Sequence, residues 1–417
     1  MGGRLCDDSG TSLRFRIGIA LAVVAFAGTA SAASAPTIRL YGLVFPAHGN
    51  PEPMSLARLD PSTLAPVGQP TLLGQFIGFA VLSPDARRVA VVEPRSAVIR
   101  LYEDVALRSR LVLGSGDEQV RDVVWTSPDR FVAIVQRMSR PYARYVRARY
   151  AVGVDAARGR VLFRTRFGQR LALMSTATSH GSAALLFESS NLLARHARLT
   201  VVSATGTVRS VTLRFGAVRT TRLLAAALAV DAGSSRAYVV LSGGRVAVID
   251  LRTLRVAYHV VHPLPHESTA TDWVTFRAAR FGRHFLVVSG LIVGGEPRDR
   301  PAGIAVIDTR TWRGRLLDRS ATGFGVVGDT VITSGKGITA YGEDGARRYH
   351  LIGSTTVSAL AIIEGRGHAW IGPSRPFALG PPPPTQVVIF GPQSGVVFAR
   401  ANISGPVRVS LLDPAGY

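Results

Sequence analysis

The residues best suited to chemistry fall in two short segments. The first runs His259-Val-Val-His262-Pro-Leu-Pro-His266-Glu267 and continues through Ser-Thr-Ala-Thr to Asp272. Imidazole and carboxylate groups are proper ligands for zinc and similar ions. His262, His266, Glu267 and Asp272 are therefore a candidate metal set. Pro263 and Pro265 hold the chain extended and spread these side chains, and no His-x-x-x-His helix is at hand, so a polar loop is the plainer expectation. The second segment reads Arg137-Met-Ser-Arg140-Pro-Tyr142-Ala-Arg144-Tyr145-Val-Arg147-Ala-Arg149-Tyr150, with five arginines, three tyrosines and no acid. Guanidinium forks grip phosphate and carboxylate, and tyrosine rings offer stacking surfaces. Arg137, Arg140, Tyr142, Arg144, Tyr145 and Arg147 are candidate contacts to an anionic ligand. The alternative is a solvated basic hairpin with its tyrosine edges packed on neighbours.

Other catalytic signals fail one by one. Gly114-Ser-Gly-Asp-Glu118 has no following helix to present its amides, so it reads as a turn rather than a dinucleotide fingerprint. Asp117 and Glu118 are adjacent and diverge on a strand, which does not make an acid–base pair. Neither a P-loop nor a nucleophile elbow is present. Two function classes remain. The favoured one is a non-catalytic binding or scaffolding module. The alternative is an extracytoplasmic enzyme, of hydrolase or lactonase type, using the His262–Asp272 group. No cofactor is expected beyond a divalent metal at that group.

The positioning frame has to be large and apolar. The 417 residues are 47% hydrophobic and only 18% charged, which excludes a disordered polyelectrolyte. One cysteine excludes a disulfide framework, an iron–sulfur cluster and a Cys-rich zinc site. The formal charge is +22, and Lys336 is the only lysine among 49 basic residues, a bias that reads as G+C-rich codon usage. A field of that size attracts anionic polymers in a salt-dependent way.

The first 32 residues read as an address. Arg4, Arg14 and Arg16 precede the uncharged apolar run Ile17–Gly28, which ends in Ala30-Ser-Ala32 and Ala33-Ser-Ala35. That is the pattern of a secretory signal peptide, cleaved near Ala32 or Ala35, with retention as an anchor the rival. Residues 33–417 then form a single domain in the envelope, periplasm or medium, with no later membrane span expected. In that compartment the expected partner is an anionic polymer or an acidic protein rather than nucleic acid.

A repeat organises the rest. Ala237–Val256 contains a β-branched run, an Asp250-centred turn and a further strand, and Gly303–Leu316 echoes it around Asp308. Turn centres of this kind fall near Asp60, Glu103, Asp155, Ala204, Asp250, Asp308, Glu343 and Pro392, a mean spacing of about 47 residues, close to a four-stranded propeller blade. A second turn class, beginning with Ser83-Pro-Asp85 and Ser127-Pro-Asp129, interleaves with it. The expected fold is an all-β propeller of four-stranded blades, seven or eight in number and eight by this count. Strands at 38–45, 54–59 and 67–73 make three quarters of a blade, and a lone strand at 407–412 completes it and closes the ring. Leu223–Ala229 has high helix propensity but is placed by the repeat as an inner strand.

Tyr238–Val256, with its Val-Ile-Asp-x-x-Thr core, and the two Ser-Pro-Asp turns resemble the YVTN-type and WD40-like β-propeller repeats of secreted bacterial proteins. The resemblance implies a fold and leaves the ligand open. In such propellers one face is built from the blade-connecting and mid-blade loops. Here three of these loops are long: Arg137–Arg147, Ser289–Gly303 and Gly372–Thr385, the last with Pro381–Pro384 as a stiff spacer.

Overall fold

Valine and isoleucine runs bounded by Asp, Ser and Gly favour short extended segments joined by tight turns. The computed structural model describes residues 39–46, 53–75, 77–138, 146–167, 172–188, 196–214, 226–231, 233–241, 244–261, 273–293, 300–321, 323–363, 365–371, 386–402 and 407–412. Among them lie 30 β-strands and no α-helix.

The strands form seven antiparallel sheets. The first joins β1 (Leu40–Pro46), β2 (Met54–Leu59) and β3 (Pro66–Gly74) to β30 (Val407–Leu411), in the order β3-β2-β1-β30. The expected partnership of N-terminal and C-terminal strands is thus present, with Gly42 opposite Leu411 and Pro46 opposite Val407. Five four-stranded meanders follow. They are β4 (Phe79–Leu82), β5 (Arg88–Val92), β6 (Val98–Glu103), β7 (Ala106–Val112); then β8 (Glu118–Ser127), β9 (Arg130–Met138), β10 (Val146–Asp155), β11 (Arg160–Phe167). Next come β12 (Ala172–Ser179), β13 (Ser182–Glu188), β14 (His196–Val202), β15 (Val208–Arg214); and β16 (Ala227–Asp231), β17 (Arg236–Leu241), β18 (Arg245–Asp250), β19 (Val256–Val260). The last of the five is β20 (Trp273–Phe281), β21 (Phe285–Val293), β22 (Arg300–Asp308), β23 (Arg313–Asp318). The helix-prone segment is extended from Ala227, and Leu223–Ala225 lie outside the described residues.

The seventh sheet has six strands: β24 (Gly323–Val327), β25 (Thr330–Tyr341), β26 (Arg347–Ile363), β27 (Arg366–Ile371), β28 (Gln386–Phe390) and β29 (Val397–Asn402). Thr333 Oγ1 donates to Thr339 O at 3.3 Å within β25. Six residues along a straight strand would span about 20 Å, so β25 folds back on itself at Gly335-Lys336-Gly337. The first part of β26 pairs with β25 and the last part, from Val357, with β27.

Second strands are buried on both faces, as in Phe131–Gln136 of β9 and Ala237–Leu241 of β17, because sheets cover them on either side. Fourth strands alternate or lie exposed, as in β7, β11 and β15. Successive sheets share apolar clusters. Ile99 and Leu101 pack with Val123 and Phe131; Ile134 with Leu185 and Phe187; Leu199 with Val239 and Ile249. The last strands meet the first, as Ile363, Val387 and Ile389 pack with Leu40, Leu59 and Leu64. Full burial of each such side chain contributes roughly 1.5–3 kcal/mol.

Each of the eight expected turn centres falls at a tight turn between antiparallel strands. Asp60 Oδ1 accepts Ser62 N at 2.9 Å and Thr63 N at 2.7 Å, and Asp250 Oδ1 accepts Arg252 N at 2.9 Å and Thr253 N at 2.8 Å. These backbone donors hold both carboxyls below the usual range. Every one of these turns contains a left-handed residue: Leu64, Val105, Leu254 and Trp312 in four, Gly159, Gly206, Gly345 and Gly395 in the others. A joint recurs at this turn. The outer strand of one sheet donates to a turn carbonyl of the next, by Thr71 Oγ1 to Val105 O (2.6 Å) and Thr165 Oγ1 to Gly206 O (2.9 Å), and within the six-stranded sheet Tyr349 Oη of β26 likewise donates to Pro392 O in the β28–β29 turn (2.6 Å).

Candidate functional site

The sheet β8–β11 carries the arginine–tyrosine hairpin on the end away from its β8–β9 and β10–β11 turns. Arg137 is the last residue but one of β9 and Arg147 lies near the start of β10, while Arg140, Tyr142, Arg144 and Tyr145 lie outside the described residues. The hairpin base is not free of acid, as its own sequence had implied. Arg137 Nε lies 3.1 Å from Asp117 Oδ2, and its Nη2 3.4 Å from Glu118 Oε1. Both acids come from the turn that feeds β8.

That turn is locally built. Ser115 Oγ donates to Asp117 Oδ1 at 2.7 Å and holds its carboxyl below the usual range, while Ser115 N donates to Glu118 Oε2 at 2.9 Å. The Glu118 side chain folds back against Gly114, where a β-carbon would collide with it. Glu118 is 2% exposed. Its charge is met from the fourth strand, where Arg164 Nη2 lies 2.7 and 2.8 Å from its two oxygens. Arg164 Nη1 donates to Leu113 O, and its guanidinium lies 4.0 Å from the Tyr150 ring centroid. A buried carboxylate with hydrogen-bonded arginine is a structural clamp.

The opposite face of the same sheet end is also polar. Arg149 is 4% exposed, with its guanidinium 5.5 Å from the Phe187 ring centroid, and burial pushes it down to about 10. It remains charged at neutral pH. Asp122 follows a bulge at Arg121, and burial pushes its carboxyl up to about 6, against the opposing hydrogen bond from Val123 N at 2.8 Å. Sequence reasoning missed Asp122. A lone acid between Val120 and Val123 on an apolar strand was the available signal.

The proposed metal ligands His262, His266, Glu267 and Asp272 all lie outside the described residues. Their neighbour His259 stacks on Trp312, centroids 3.8 Å apart and planes 7° apart, and burial lowers its basicity. Among the described residues no group of three or more His, Cys, Asp or Glu is placed to hold a metal ion. Of the other two long loops, 372–385 lies outside the described residues. The second is shorter than expected, because β21 extends through Ser289–Val293 and β22 starts at Arg300.

Arginine also dominates the exposed fourth strands. β7 carries Arg108 and Arg110, β11 carries Arg160, Arg164 and Arg166, and β15 carries Arg209 and Arg214, with no acid in any of the three. Arg110 reaches Glu93 at 3.2 Å and Arg160 reaches Asp155 at 3.8 Å. Arg166 and Arg214 are exposed on these edges.

Among the described residues no helix is long and apolar enough to cross a membrane. No protein-family model matches the chain, and no curated protein matches it in sequence. Solved structures do match. The chain is similar to the dihydro-heme d1 dehydrogenase NirN in complex with DHE, at TM-score 0.57 and 12% identity over 91% of this chain and 76% of that one. It is also similar to BamB from Moraxella catarrhalis (TM-score 0.47, 14% identity, 81% of this chain and 94% of that one). For apo AztD from Citrobacter koseri the values are 0.48, 11%, 90% and 99%. Identities this low bear on fold alone. With its succession of four-stranded antiparallel sheets, the chain has a β-propeller fold.

Proposed function

We propose that the chain is a secreted, non-catalytic binding or scaffolding propeller for an anionic polymer or an acidic protein outside the membrane. The observation that carries this reading is that the exposed strands β7, β11 and β15 hold seven arginines and no acid of their own, with Arg166 and Arg214 exposed on β11 and β15. Arginine on an edge strand also blocks edge-to-edge pairing. Arg108, Arg110, Arg160 and Arg164 meet acids of neighbouring segments, and Arg166 and Arg214 leave positive charge on two successive edges, which favours a polyanion. The Arg137–Tyr150 hairpin adds further guanidinium and ring surface.

The test is binding to a wall polyphosphate polymer and to poly-glutamate across a salt series. Replacing Arg166 and Arg214 together with glutamine lowers affinity and flattens the salt slope by about two counterions' worth if the edges bind. Replacing Arg140, Arg144 and Arg147 tests the hairpin separately. An unchanged slope in both variants defeats the reading.

The same proposal includes eight blades and a closed ring. Splitting the six-stranded sheet at the β25 fold and within β26 yields two four-stranded units, and the core formed by Leu40, Leu59, Leu64, Ile363 and Val387 supports closure between last and first. Export rests on the leader pattern, and sequencing the N-terminus of protein from the envelope or medium checks cleavage near Ala32 or Ala35. Kinship with YVTN-type repeats rests on Tyr238–Val256.

A further inference from the structure

The last strands meet the first sheet through an apolar seam. Ile363 of β26, Val387 and Ile389 of β28 and Ala401 of β29 lie on one side of it, and Leu40, Ala57, Leu59 and Leu64 on the other. A histidine faces this seam. His368, in β27, stands in register with Ala361 of β26 and with Ile389 of β28, and both of those side chains belong to the seam. Opposed residues of an antiparallel pair share a face, so the imidazole is directed at the first sheet. His368 is 1% exposed, and neither ring nitrogen has a hydrogen-bond partner. Among the described side chains it is the only fully buried histidine.

The charged groups around the seam do not favour a proton there. Arg366, two residues earlier in β27, lies on the same face. Burial first, and the Arg366 charge second, lower the imidazole from 6.5 to about 4. Across the seam the facing acid is Asp60, in the β2–β3 turn, which also feels Arg366. Its Oδ1 is already held by Ser62 N and Thr63 N at 2.9 and 2.7 Å. Arg58 of β2 stands opposite Tyr41, on the far side of the first sheet, and Arg39 lies 3.8 Å from Asp104 on that side. Arg400 of β29 stands opposite Val388, on the far side of the last strands, with its Nη1 3.4 Å from Gln386 Oε1. β28 and the Val357–Ile363 part of β26 carry no charged residue, and Glu364 lies outside the described residues.

We propose that this seam is an acid-opened joint: a proton on His368 releases the β26–β29 strands from the first sheet while the other sheets stay packed. An imidazolium sealed from water, beside a guanidinium and without an acceptor, is stable only where water can reach it. Parting two apolar faces admits that water and breaks one interface, whereas unfolding the whole chain breaks all of them. Asp122, in β8, answers acid in the opposite sense, because its burial favours the protonated carboxyl. The inference rests on the contact between last strands and first sheet, and depends neither on the number of blades nor on the polyanion reading.

Amide hydrogen exchange read by mass spectrometry on the full chain tests this, at pH 7.5 and pH 5, with rates corrected for the intrinsic pH dependence of exchange. An imidazole that takes its proton at 6.5 in the open seam and at about 4 in the closed one raises the open population about 30-fold between these conditions. That acceleration is expected in β1, β2, β27 and β28 and absent from β17 and β18, which lie in another sheet. His368→Met abolishes it, and His368→Leu serves as the second variant should His368→Met lower the melting temperature at pH 7.5. Equal acceleration in every sheet, no acceleration in the seam strands, or a parent-like response in both variants overturns the proposal.

Discussion

The Phe163 ring of β11 lies against Gly206 in the next sheet, so close that a β-carbon on Gly206 would stand 2.7 Å from two ring atoms. Gly206 also has φ +86°, and its carbonyl accepts Thr165 Oγ1 at 2.9 Å. Sequence, turn conformation and inter-sheet packing therefore meet at one position. Gly395 under Tyr349 repeats the arrangement, with φ +71° and the same 2.7 Å approach.

Gly206→Ala is expected to lose about 2–4 kcal/mol, from left-handed strain plus overpacking against the ring. Phe163→Ala opens a cavity and loses about 3 kcal/mol. The double variant recovers part of the sum, because removing the ring relieves the clash. Urea denaturation of the four proteins checks this cycle, and strict additivity would show that the two residues do not touch.

Arg164→Met leaves Glu118 buried with the Ser115 amide and only the looser Arg137 contact to meet its charge. A loss of about 3 kcal/mol is expected, largely restored by adding Glu118→Gln. Arg137→Gln, at an ion pair 40% and 48% exposed, changes stability by less than about 1 kcal/mol. Equal effects of the two arginine changes would contradict the clamp.

Two buried groups give opposite pH dependences. Asp122, raised from 3.8 to about 6, favours the folded state only while protonated, so its contribution is lost as pH rises through that range. His368 is 1% exposed with neither ring nitrogen hydrogen-bonded, and burial, aided by Arg366, lowers it from 6.5 to about 4. Its contribution is present above 6.5 and lost as pH falls toward 4. The two trends offset each other in the parent chain. Asp122→Asn should gain on the order of 2–3 kcal/mol at pH 8 and nothing below pH 4. His368→Met should leave the Asp122 trend unopposed, so that its stability relative to the parent rises as pH falls from 6.5 to 4. Denaturant melts across pH separate them, and parallel curves for parent and variants would remove both assignments.

Deleting 407–412 exposes the open edge of β1, since β30 is its partner on that side. Concentration-dependent aggregation seen by light scattering is the expected outcome. A monomeric variant with an unchanged melting temperature would show that β30 is dispensable.

The turns were legible because their chemistry is local. Asp60, Asp250 and Asp308 bond amides two or three residues on, so residue type and spacing alone reveal them. The sharing of one sheet by the two chain ends followed from an unfilled place in the repeat. Electrostatic partnerships were not legible. Glu118 and Arg164 are 46 residues apart, and only folding brings the fourth strand over the feeding turn. The same distance effect hid the acids beneath Arg137. The strand that passes from one half of the six-stranded sheet to the other was hidden for a different reason: Arg347–Ile363 has no Pro or Asp to mark its bend.

The pairing of β1 with β30 also sets how the protein answers a pull. The strands are antiparallel, so Leu40 at the start of β1 and Leu411 at the end of β30 leave the sheet at the same end. Tension applied through both flanking segments would load the hydrogen bonds one after another, as in a zipper, rather than all together in shear. A chain tethered at one end only would leave that seam unloaded. Under load, the number of attachment points would decide whether the first sheet holds.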